Sequence, residues 1–308
     1  MILTDHDPVP AGWRGGVAAI GNFDGVHKGH QALVAACVAA AGALGGGGGG
    51  RPPLVVTFEP HPRALFRPDS APFLLTTLNE KARLLAGLGI QGVAAVTFDR
   101  ALTQMSADEF ARRILMARLA LSHVVVGADF RFGHDRGGDP DSLRALGLQV
   151  TVVPAVVDET GHPYSSTRAR QHLVEGRPRA AAAILGRPWA VEAVVEEGDR
   201  RGRTIGFPTA NLRLGRLIAP ARGVYAVRCT WDGGAADGVA NFGRRPTVND
   251  RGDLLEVHLF DVAPDLYGRP LRVELIEFLR PERRFDGLAA LQAQIARDCA
   301  GAREILGE

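Results

Sequence analysis

Short apolar runs alternate with amphipathic segments along the first half of the chain. The segments between the runs carry apolar residues at helical spacing, as in Leu33, Val34, Cys37 and Val38. The apolar runs predict buried strands at residues 17–21, 54–58, 92–98, 123–127 and 148–154. Continuous apolar strands that alternate with helices are typical of a parallel sheet covered by helices on both faces. The first half therefore predicts an α/β domain, whose ligands bind at the carboxyl ends of the strands.

Polar residues mark where three of these helices begin. Asn79 is placed to cap a helix that reaches Leu88. Ser106 and Glu109 have the spacing of a capping box. Asp139 precedes a proline, which is favoured at the first helical position. These signals predict helices after the second, third and fourth strands.

The second half of the chain has a pattern of strands and turns. Residues 223–231 run into the turn at 232–234, and the apolar residues that follow predict the returning strand of a hairpin. Several short antiparallel strands with one closing helix predict a small β-barrel. The other predicted elements are strands from Trp189 onward, at 254–261 and at 271–279, and a final amphipathic helix over 288–305.

The change of pattern falls within residues 185–189 and predicts two domains, 1–186 and 187–308. A chain of 308 residues is long enough for two domains that each bury a core. The formal net charge of +2 gives no electrostatic reason to expect a nucleic-acid partner. Lysine is scarce, because Lys28 and Lys81 are the only two and arginine supplies the other cationic side chains.

Cysteine usage and the absence of long apolar runs predict a cellular location. The three cysteines are far apart and lack CxxC spacing, which fits a reducing cytoplasm. The N-terminal segment lacks the charged and then apolar pattern of a secretory signal, and no apolar run could span a bilayer. The sequence therefore predicts a cytoplasmic protein without a membrane partner, and it makes no prediction of oligomeric state.

Six consecutive glycines at residues 45–50 formally match the pattern G-x-G-x-x-G. The tract follows a predicted helix and precedes a predicted strand, whereas a dinucleotide-binding fingerprint requires the reverse order. The favoured interpretation is a flexible surface linker. The GxxxxGK[ST] pattern of a P-loop does not occur in the sequence.

The sequence GNFDGVHKGH, residues 21–30, lies where the first predicted strand ends and a helix begins. Unpaired N–H groups and the helix dipole make such a position an anion site suited to phosphate. Gly21 and Gly29 allow a polyanion to approach the backbone closely. His27 and His30 can donate hydrogen bonds to charge that develops on a phosphoryl oxygen. The sequence thus favours a phosphate site over a loop with two ordinary surface histidines.

The sequence YSSTRAR, residues 164–170, precedes a second helical pattern. The hydroxyls of Ser165, Ser166 and Thr167 can cap the helix and bind phosphate, and Arg168 can pair with phosphate through two parallel bonds. Considered alone, the segment is better explained as a helix cap with solvated arginines. Together with residues 21–30, phosphate binding becomes the favoured interpretation.

Eight motifs in this order resemble those of bacterial bifunctional riboflavin kinase/FAD synthetases. GNFDGVHKGH, TFEPHP, VVVGADFRFG and SSTRAR resemble the adenylyltransferase half, and GRTIGFPTANL, GVYAV, NFGRRPT and LEVHLFD resemble the kinase half. The resemblance covers residues 20–305. It implies a Rossmann-like nucleotidyltransferase domain with helices on both faces of its sheet, followed by a small antiparallel β-barrel with a closing helix. It also implies that riboflavin, FMN and ATP are substrates, and that FMN and FAD are products.

The resemblance assigns residues to the adenylyltransferase reaction, in which the FMN phosphate attacks the α-phosphate of ATP and pyrophosphate leaves. The attacking phosphate is already an anion, so positioning and charge stabilisation suffice without a base. Asp129 and Phe130 are implied on the flavin or nucleotide side, whereas His61 receives no role. The implied ATP-binding residues are Gly21, Phe23, His27, His30, Ser165, Ser166, Thr167 and Arg168, of which His27 and His30 are catalytic.

In the kinase half, the acceptor is a primary hydroxyl of riboflavin, a poor nucleophile that benefits from a general base. Glu256 is the implied base, and strand alternation places it with His258 on the face opposite Val257. His258 itself is interpreted as structural. Mg²⁺ is the implied cofactor, with Thr209 and Asn211 as its oxygen ligands. The implied ATP- and Mg²⁺-binding residues are Gly206, Phe207, Pro208, Thr209 and Asn211.

Two other interpretations stay open at this point. HxGH with a Ser-Thr-Arg motif also occurs in nicotinate- and pantetheine-nucleotide adenylyltransferases and in tRNA synthetases, which lack GFPTAN followed by a barrel. A flavin-binding regulator without catalytic activity is the other. The presence of His27, His30, Thr209, Asn211 and Glu256 argues against it. Turnover of riboflavin with ATP separates the three.

Overall fold

A computed structural model describes residues 1–44, 50–197, 207–244 and 253–307. The chain forms two compact units. The first consists of Met1–Ser70 and Thr76–Ser165, and the second of Ala71–Leu75 and Ser166–Glu308. Apart from Gly50, the predicted glycine linker lies outside the described residues.

The first unit contains a parallel sheet whose five longer strands confirm the five predicted apolar runs. The order across the sheet is β1-β4-β3-β2-β5-β6. The two-residue strand β1 was not predicted, because two residues are too short to show a pattern. The strands are β1 (Ile2–Leu3), β2 (Val17–Ile20), β3 (Pro53–Glu59), β4 (Gly92–Thr97), β5 (His123–Gly127) and β6 (Gln149–Val153).

Helices connect these strands, and two of the three predicted starts are confirmed. Ser106 and Glu109 form a capping box, and Asp139 caps the helix that begins at Pro140. The prediction for Asn79 is wrong: the Thr77 hydroxyl accepts from the Glu80 N–H, so the helix begins two residues earlier. The helices are α1 (Lys28–Ala43), α2 (Pro62–Phe66), α3 (Leu78–Gly87), α4 (Arg100–Gln104), α5 (Ala107–Glu109) continuing as a π-helix (Phe110–Arg118), and α6 (Pro140–Ala145), with 3₁₀ turns at Ala11–Trp13 and His134–Arg136.

Both faces of the parallel sheet are buried. Val17 and Ala19 of β2 pack in a cluster with Leu33, Val34 and Cys37 of α1 and Leu85 of α3. The intervening residues Ala18 and Ile20 pack on the other face, in a cluster with Phe110, Leu115 and Leu143. Alternate residues of β2 therefore face different helices, which confirms the predicted α/β layering and explains why this strand is apolar at every position.

The second unit contains an antiparallel sheet and confirms the predicted hairpin, in which Gly234 lies opposite Trp231. Six strands are present in the described residues, in the order β7-β12-β9-β10-β11-β8. The elements are α7 (Ser166–Val174), α8 (Pro178–Leu185), β7 (Trp189–Val194), β8 (Ala210–Leu212), β9 (Gly223–Trp231), β10 (Gly234–Arg244), β11 (Asp253–Leu259), β12 (Pro270–Pro281) and α9 (Leu288–Leu306).

The final helix packs against one face of this sheet. Ala302 and Leu306 of α9 form a buried cluster with Val224, Ala226 and Val239 of β9 and β10. The second unit is therefore a β domain with a covering helix, as the sequence predicts. Helix α7 begins at Ser166, so the segment 166–170 forms the start of this helix rather than preceding it.

Candidate active sites

The loop after β2 lies where the strand order of the first sheet reverses. The chain adds β3 on one side of β2 and later adds β5 on the other side. Strand β5 runs parallel to β2, so the loops that follow the two strands emerge at the same edge. In open parallel sheets, ligands bind in the crevice at this switch point. Loops 21–27 and 128–133 therefore flank the predicted nucleotide site.

Three residues of loop 21–27 have a left-handed backbone: Phe23 (φ 49°), Gly25 (φ 80°) and Val26 (φ 43°). This conformation is rare for bulky or β-branched residues and costs about 1–3 kcal/mol per residue. Phe23 and Val26 are almost completely buried. Packing therefore holds the loop in a strained shape, a feature that clusters at functional sites.

Buried polar contacts fix the same loop. The Asp24 carboxylate, which is 1% exposed, accepts hydrogen bonds from the Thr76 backbone N–H at 3.1 Å and from the Thr76 hydroxyl at 3.3 Å. The Gly25 N–H donates to the Thr76 hydroxyl at 3.0 Å. From β3, the Thr57 hydroxyl donates to the Asn22 carbonyl at 3.1 Å. Two neighbouring segments thus hold successive residues of the loop.

Lys81 lies beneath these contacts, at the end of the first turn of α3. Its side chain is buried, and its Nζ donates to the Thr57 hydroxyl at 3.3 Å. Burial lowers the pKa of Lys81, and the negative charges of Asp24 and Glu59 oppose this shift. Sequence reasoning gave Lys81 no role. Lysine is rare in this arginine-rich chain, and that rarity is the sequence signal that could have identified Lys81 as unusual.

The two histidines of the loop stand side by side at the N-terminus of α1. His27 is the N-cap residue, and the His30 N–H donates to its Nδ1 at 3.4 Å. The two rings stack with centroids 3.6 Å apart, and the ring of Phe23 lies 5.1 Å from that of His30. A Cβ at position 29 would lie 3.1 Å from the His27 ring, a tight contact that glycine avoids. Both imidazoles can therefore act on one anion at this helix end.

Aromatic side chains extend from the loop after β5. Asp129 is exposed in a turn, and half-buried Phe130 stacks on Phe132 with centroids 5.4 Å apart. Further ring pairs continue this aromatic row as far as Phe66, which is 67% exposed. Its members are Phe130, Phe132, Phe110, Phe58, Phe98 and Phe66, with successive centroids 5.4–6.2 Å apart.

Sequence reasoning missed most of the aromatic row. Phe58 and Phe98 both lie at the carboxyl edge, in β3 and directly after β4, which is the signal that could have found them. Phe66 ends helix α2, and His61 caps that helix by accepting from the Arg63 N–H at 3.1 Å. This contact accounts for His61 as a structural residue.

The serine and arginine motif straddles the division between the two units. Ser165 closes the first unit, and Ser166, Thr167 and Arg168 begin helix α7 of the second. Their contact with ATP therefore stays a prediction.

Three polar residues of the second unit form one row across neighbouring strands. Asn211 of β8 lies opposite Glu256 of β11, which lies opposite Asn241 of β10. Directly opposed residues project to the same face of a sheet. Half-buried Glu256 alternates with buried Leu255 and Val257, as the sequence predicts. The sequence alone did not predict a role for Asn241. The pattern of a single strand does not show which residues of neighbouring strands lie opposite each other.

Asn211 has the properties of a metal ligand. It is 5% exposed, and its Oδ1 has no hydrogen-bond partner among the described residues. Buried side-chain oxygens normally have a partner, so this atom requires an explanation. Mg²⁺ prefers oxygen ligands and takes few of them from protein when phosphates supply the rest. Among the described residues, no group of three or more His, Cys, Asp or Glu is placed to hold a metal ion.

The loop before β8 is held by His258. The His258 Nδ1–H donates to the Pro208 carbonyl at 2.9 Å, since a carbonyl can only accept. The ring of Phe207 lies edge-on to that of His258, with centroids 5.4 Å apart. Thr209, half-buried, leads into β8. Gly206 lies outside the described residues.

The fold and these residues define an enzyme with two nucleotide-dependent parts, and family comparison identifies each part. Residues 9–168 match the family model for FAD synthetase, and residues 185–306 match that for riboflavin kinase. The second match excludes the nicotinate and pantetheine adenylyltransferases and the tRNA synthetases that the sequence left open. Among the described residues, no helix is both long and apolar enough to cross a membrane.

Full-length relatives extend this assignment. The bifunctional riboflavin kinase/FMN adenylyltransferase of Escherichia coli (strain K12) is 44% identical over 312 residues, which cover 100% of this chain and 98% of the relative. That of Pseudomonas fluorescens is 44% identical over 296 residues, 95% of this chain and 93% of the relative. The crystal structure of a macrolide-efflux protein from Streptococcus pneumoniae is similar with a TM-score of 0.83 and 30% identity, covering 96% and 97% of the two chains. The chain belongs to the bifunctional riboflavin kinase/FMN adenylyltransferase family.

Proposed function

We propose that the chain phosphorylates riboflavin to FMN through residues 187–308 and adenylylates FMN to FAD through residues 1–186. The observation that carries this division is the separation of the two candidate sites: the paired histidines lie in the first unit and the Asn211–Glu256–Asn241 row in the second. Purified protein given riboflavin, ATP and Mg²⁺ is expected to yield FMN and then FAD on chromatography. Absence of both products would contradict the proposal.

In the adenylyltransferase reaction, positioning replaces acid–base chemistry. His27 and His30, adjacent at a helix N-terminus, donate hydrogen bonds to the ATP phosphates as charge develops at the α-phosphorus. Gly21 borders the ATP in the strained loop, and buried Phe23 contributes by fixing the shape of that loop. Ser165, Ser166, Thr167 and Arg168 hold the far end of the triphosphate, through hydroxyls and a guanidinium.

In this proposal the flavin ring binds against the half-buried and exposed members of the aromatic row, since Phe110 and Phe132 are buried in the core. A planar isoalloxazine gains from stacking and edge contacts with phenyl rings. Phe130 and exposed Phe66 lie at the two ends of the row, and Asp129 offers an acceptor beside it. The row lies at the carboxyl edge of the sheet, where a ligand of this fold is expected.

In the kinase reaction, Glu256 accepts the proton of the riboflavin hydroxyl as the γ-phosphate of ATP is transferred. Its place between two asparagine side chains fits this role, because amides can orient a hydroxyl without competing for its proton. Phe207, Pro208 and, from the sequence, Gly206 border the nucleotide.

The orphaned Asn211 Oδ1 supports Mg²⁺ as the cofactor of the kinase. Thr209 and Asn211 would hold the ion together with phosphate oxygens of ATP. Bound there, Mg²⁺ would neutralise charge on the transferring phosphoryl group.

A contact between the edge strands supports closure of the second sheet into a barrel. β7 and β8 are its two edges, and the Glu196 N–H just beyond β7 donates to the Asn211 carbonyl of β8 at 2.9 Å. Closure removes exposed strand edges.

The proposed location is the cytoplasm, where the free thiols of Cys37, Cys229 and Cys299 would stay reduced.

The proposed division predicts that the kinase part works alone. A fragment of residues 166–308 is expected to fold and convert riboflavin to FMN, because α8 packs on β7 and β12 within the second unit. A fragment of residues 187–308 lacks buried Ile184 and Leu185, each contributing about 1.5–3 kcal/mol, and should melt at a lower temperature. The measurements are a thermal melt and the FMN assay on each fragment. A folded 166–308 fragment that makes no FMN would show that its site is incomplete.

A further inference from the structure

The strained loop of the first unit rests on a buried ammonium group. The Lys81 Nζ donates to the Thr57 hydroxyl, and that hydroxyl donates in turn to the Asn22 carbonyl. Asn22 is followed directly by the left-handed residues Phe23, Gly25 and Val26. The loop ends at His27, the N-cap residue of α1. Two hydrogen bonds therefore link Lys81 to Asn22, and the backbone of the loop joins Asn22 to His27.

Stability alone does not account for a lysine at this position. An ammonium group that is 3% exposed loses most of its hydration, and a well-packed apolar side chain of similar volume would avoid that cost. Asp24, from the loop, and Glu59, at the end of β3, are the acidic groups whose charges act on it. A buried charge is stabilised only when its partners lie in particular positions. The ammonium of Lys81 therefore favours the conformation of loop 21–27 that places Asp24 near it.

The choice of lysine also fits a single compact contact. Of the 36 lysine and arginine residues in the chain, only Lys28 and Lys81 are lysines. A guanidinium is a planar fork with five donors, whereas an ammonium is a compact point charge that can approach one hydroxyl. Thr57 is itself fully buried, so the space beside it suits the smaller group.

We propose that Lys81 is a positioning residue of the adenylyltransferase site: through Thr57 it holds the loop that presents His27 and His30. The inference rests on the proposed role of these histidines in FAD formation. Lys81 touches no reacting atom. Its effect is on the geometry of groups that act in the transition state, where a misplacement of about 1 Å can cost about 10²-fold in rate.

The test is Lys81→Met in the full-length chain, since methionine matches the lysine side chain as far as Cε and removes the ammonium group. The kcat for FAD formation from FMN and ATP is expected to fall about 10–100-fold, with the KM for ATP changed less than about threefold, because a transition-state interaction is weakened. Riboflavin phosphorylation by the same preparation should stay within about twofold of wild type. An unchanged kcat for FAD formation would overturn the inference.

A matched variant separates positioning from loss of stability. Leu121→Ala removes a buried side chain just before β5, at the edge of the sheet opposite the loop, and is expected to lower the melting temperature. It is expected to keep the kcat for FAD formation. If Lys81→Met merely matched Leu121→Ala in both melting temperature and kcat, Lys81 would be structural and the inference wrong.

Thr57 provides a second route should Lys81→Met fail to fold. Thr57→Val removes the bridging hydroxyl and is expected to lower the kcat for FAD formation, whereas Thr57→Ser keeps the hydroxyl and should restore it. The double variant with Lys81→Met should lose little beyond the larger single effect, because both act through one contact. Wild-type kcat in Thr57→Val would overturn the inference. Full FAD formation by His30→Ala would instead refute the proposed histidine role.

Discussion

Replacing Glu256 with glutamine is expected to lower riboflavin phosphorylation by about 10²–10⁴-fold, the usual contribution of a general base. Glutamine keeps the shape of the side chain and its place in the row between Asn211 and Asn241, but it cannot accept the proton of the hydroxyl. FAD formation from supplied FMN should persist, because the paired histidines proposed for that reaction lie in the other unit. The measurement is FMN production at saturating ATP and riboflavin.

Glu192→Gln is the control for this variant. Glu192 is an exposed carboxylate on β7, outside the row, so its loss changes charge by the same amount without removing a base. Both activities of Glu192→Gln should match wild type. Near-normal kinase activity in Glu256→Gln would remove Glu256 from the mechanism.

Replacing His30 with alanine is expected to lower FMN adenylylation by about 10²–10³-fold, the usual effect of losing one donor to developing charge. Because each ring of the stacked pair occupies its own position at the helix end, His27 is not expected to substitute for His30. Riboflavin phosphorylation should stay close to wild type. The two rates are measured separately, with FMN or riboflavin as the starting substrate.

His123→Ala is the matched control, because His123 begins β5 at the opposite edge of the same sheet. The His123 Nε2 lies 2.8 Å from the Thr151 hydroxyl. Like His30, His123 is half-buried, so the two substitutions remove comparable side chains. His123→Ala should leave adenylylation unchanged. If His30→Ala lost both activities together with its melting temperature, His30 would be a structural residue.

Local patterns predicted the elements, whereas contacts between distant segments stayed hidden. The apolar runs identified all five long strands of the first sheet, because burial on both faces selects apolar residues along the inner strands. The N-cap at Thr77 was missed, since Asn79 has the same chemistry two residues later and only the hydrogen bond to Glu80 distinguishes them.

The site residues divide in the same way. His27 and His30 are close in sequence, so their spacing and the helix start were enough to place them together. Lys81 reaches Thr57 across 24 positions, and Asn241 reaches Glu256 only through strand register. The aromatic row collects rings from several strand ends and helices. Such contacts are products of tertiary packing, which a single sequence does not display.

The row in the second unit limits how this protein can change in length. Side chains of a strand alternate between faces, so adding or deleting one residue within β11 before Glu256 would turn the carboxylate to the opposite face. The same holds for β8 and β10, whose asparagines flank it. A substitution in these strands changes one side chain. An insertion of one residue would shift the strand register and move the three side chains of the row apart. Engineers who wish to fuse or lengthen this enzyme should therefore place insertions in the connection between β9 and β10, at Asp232 and Gly233.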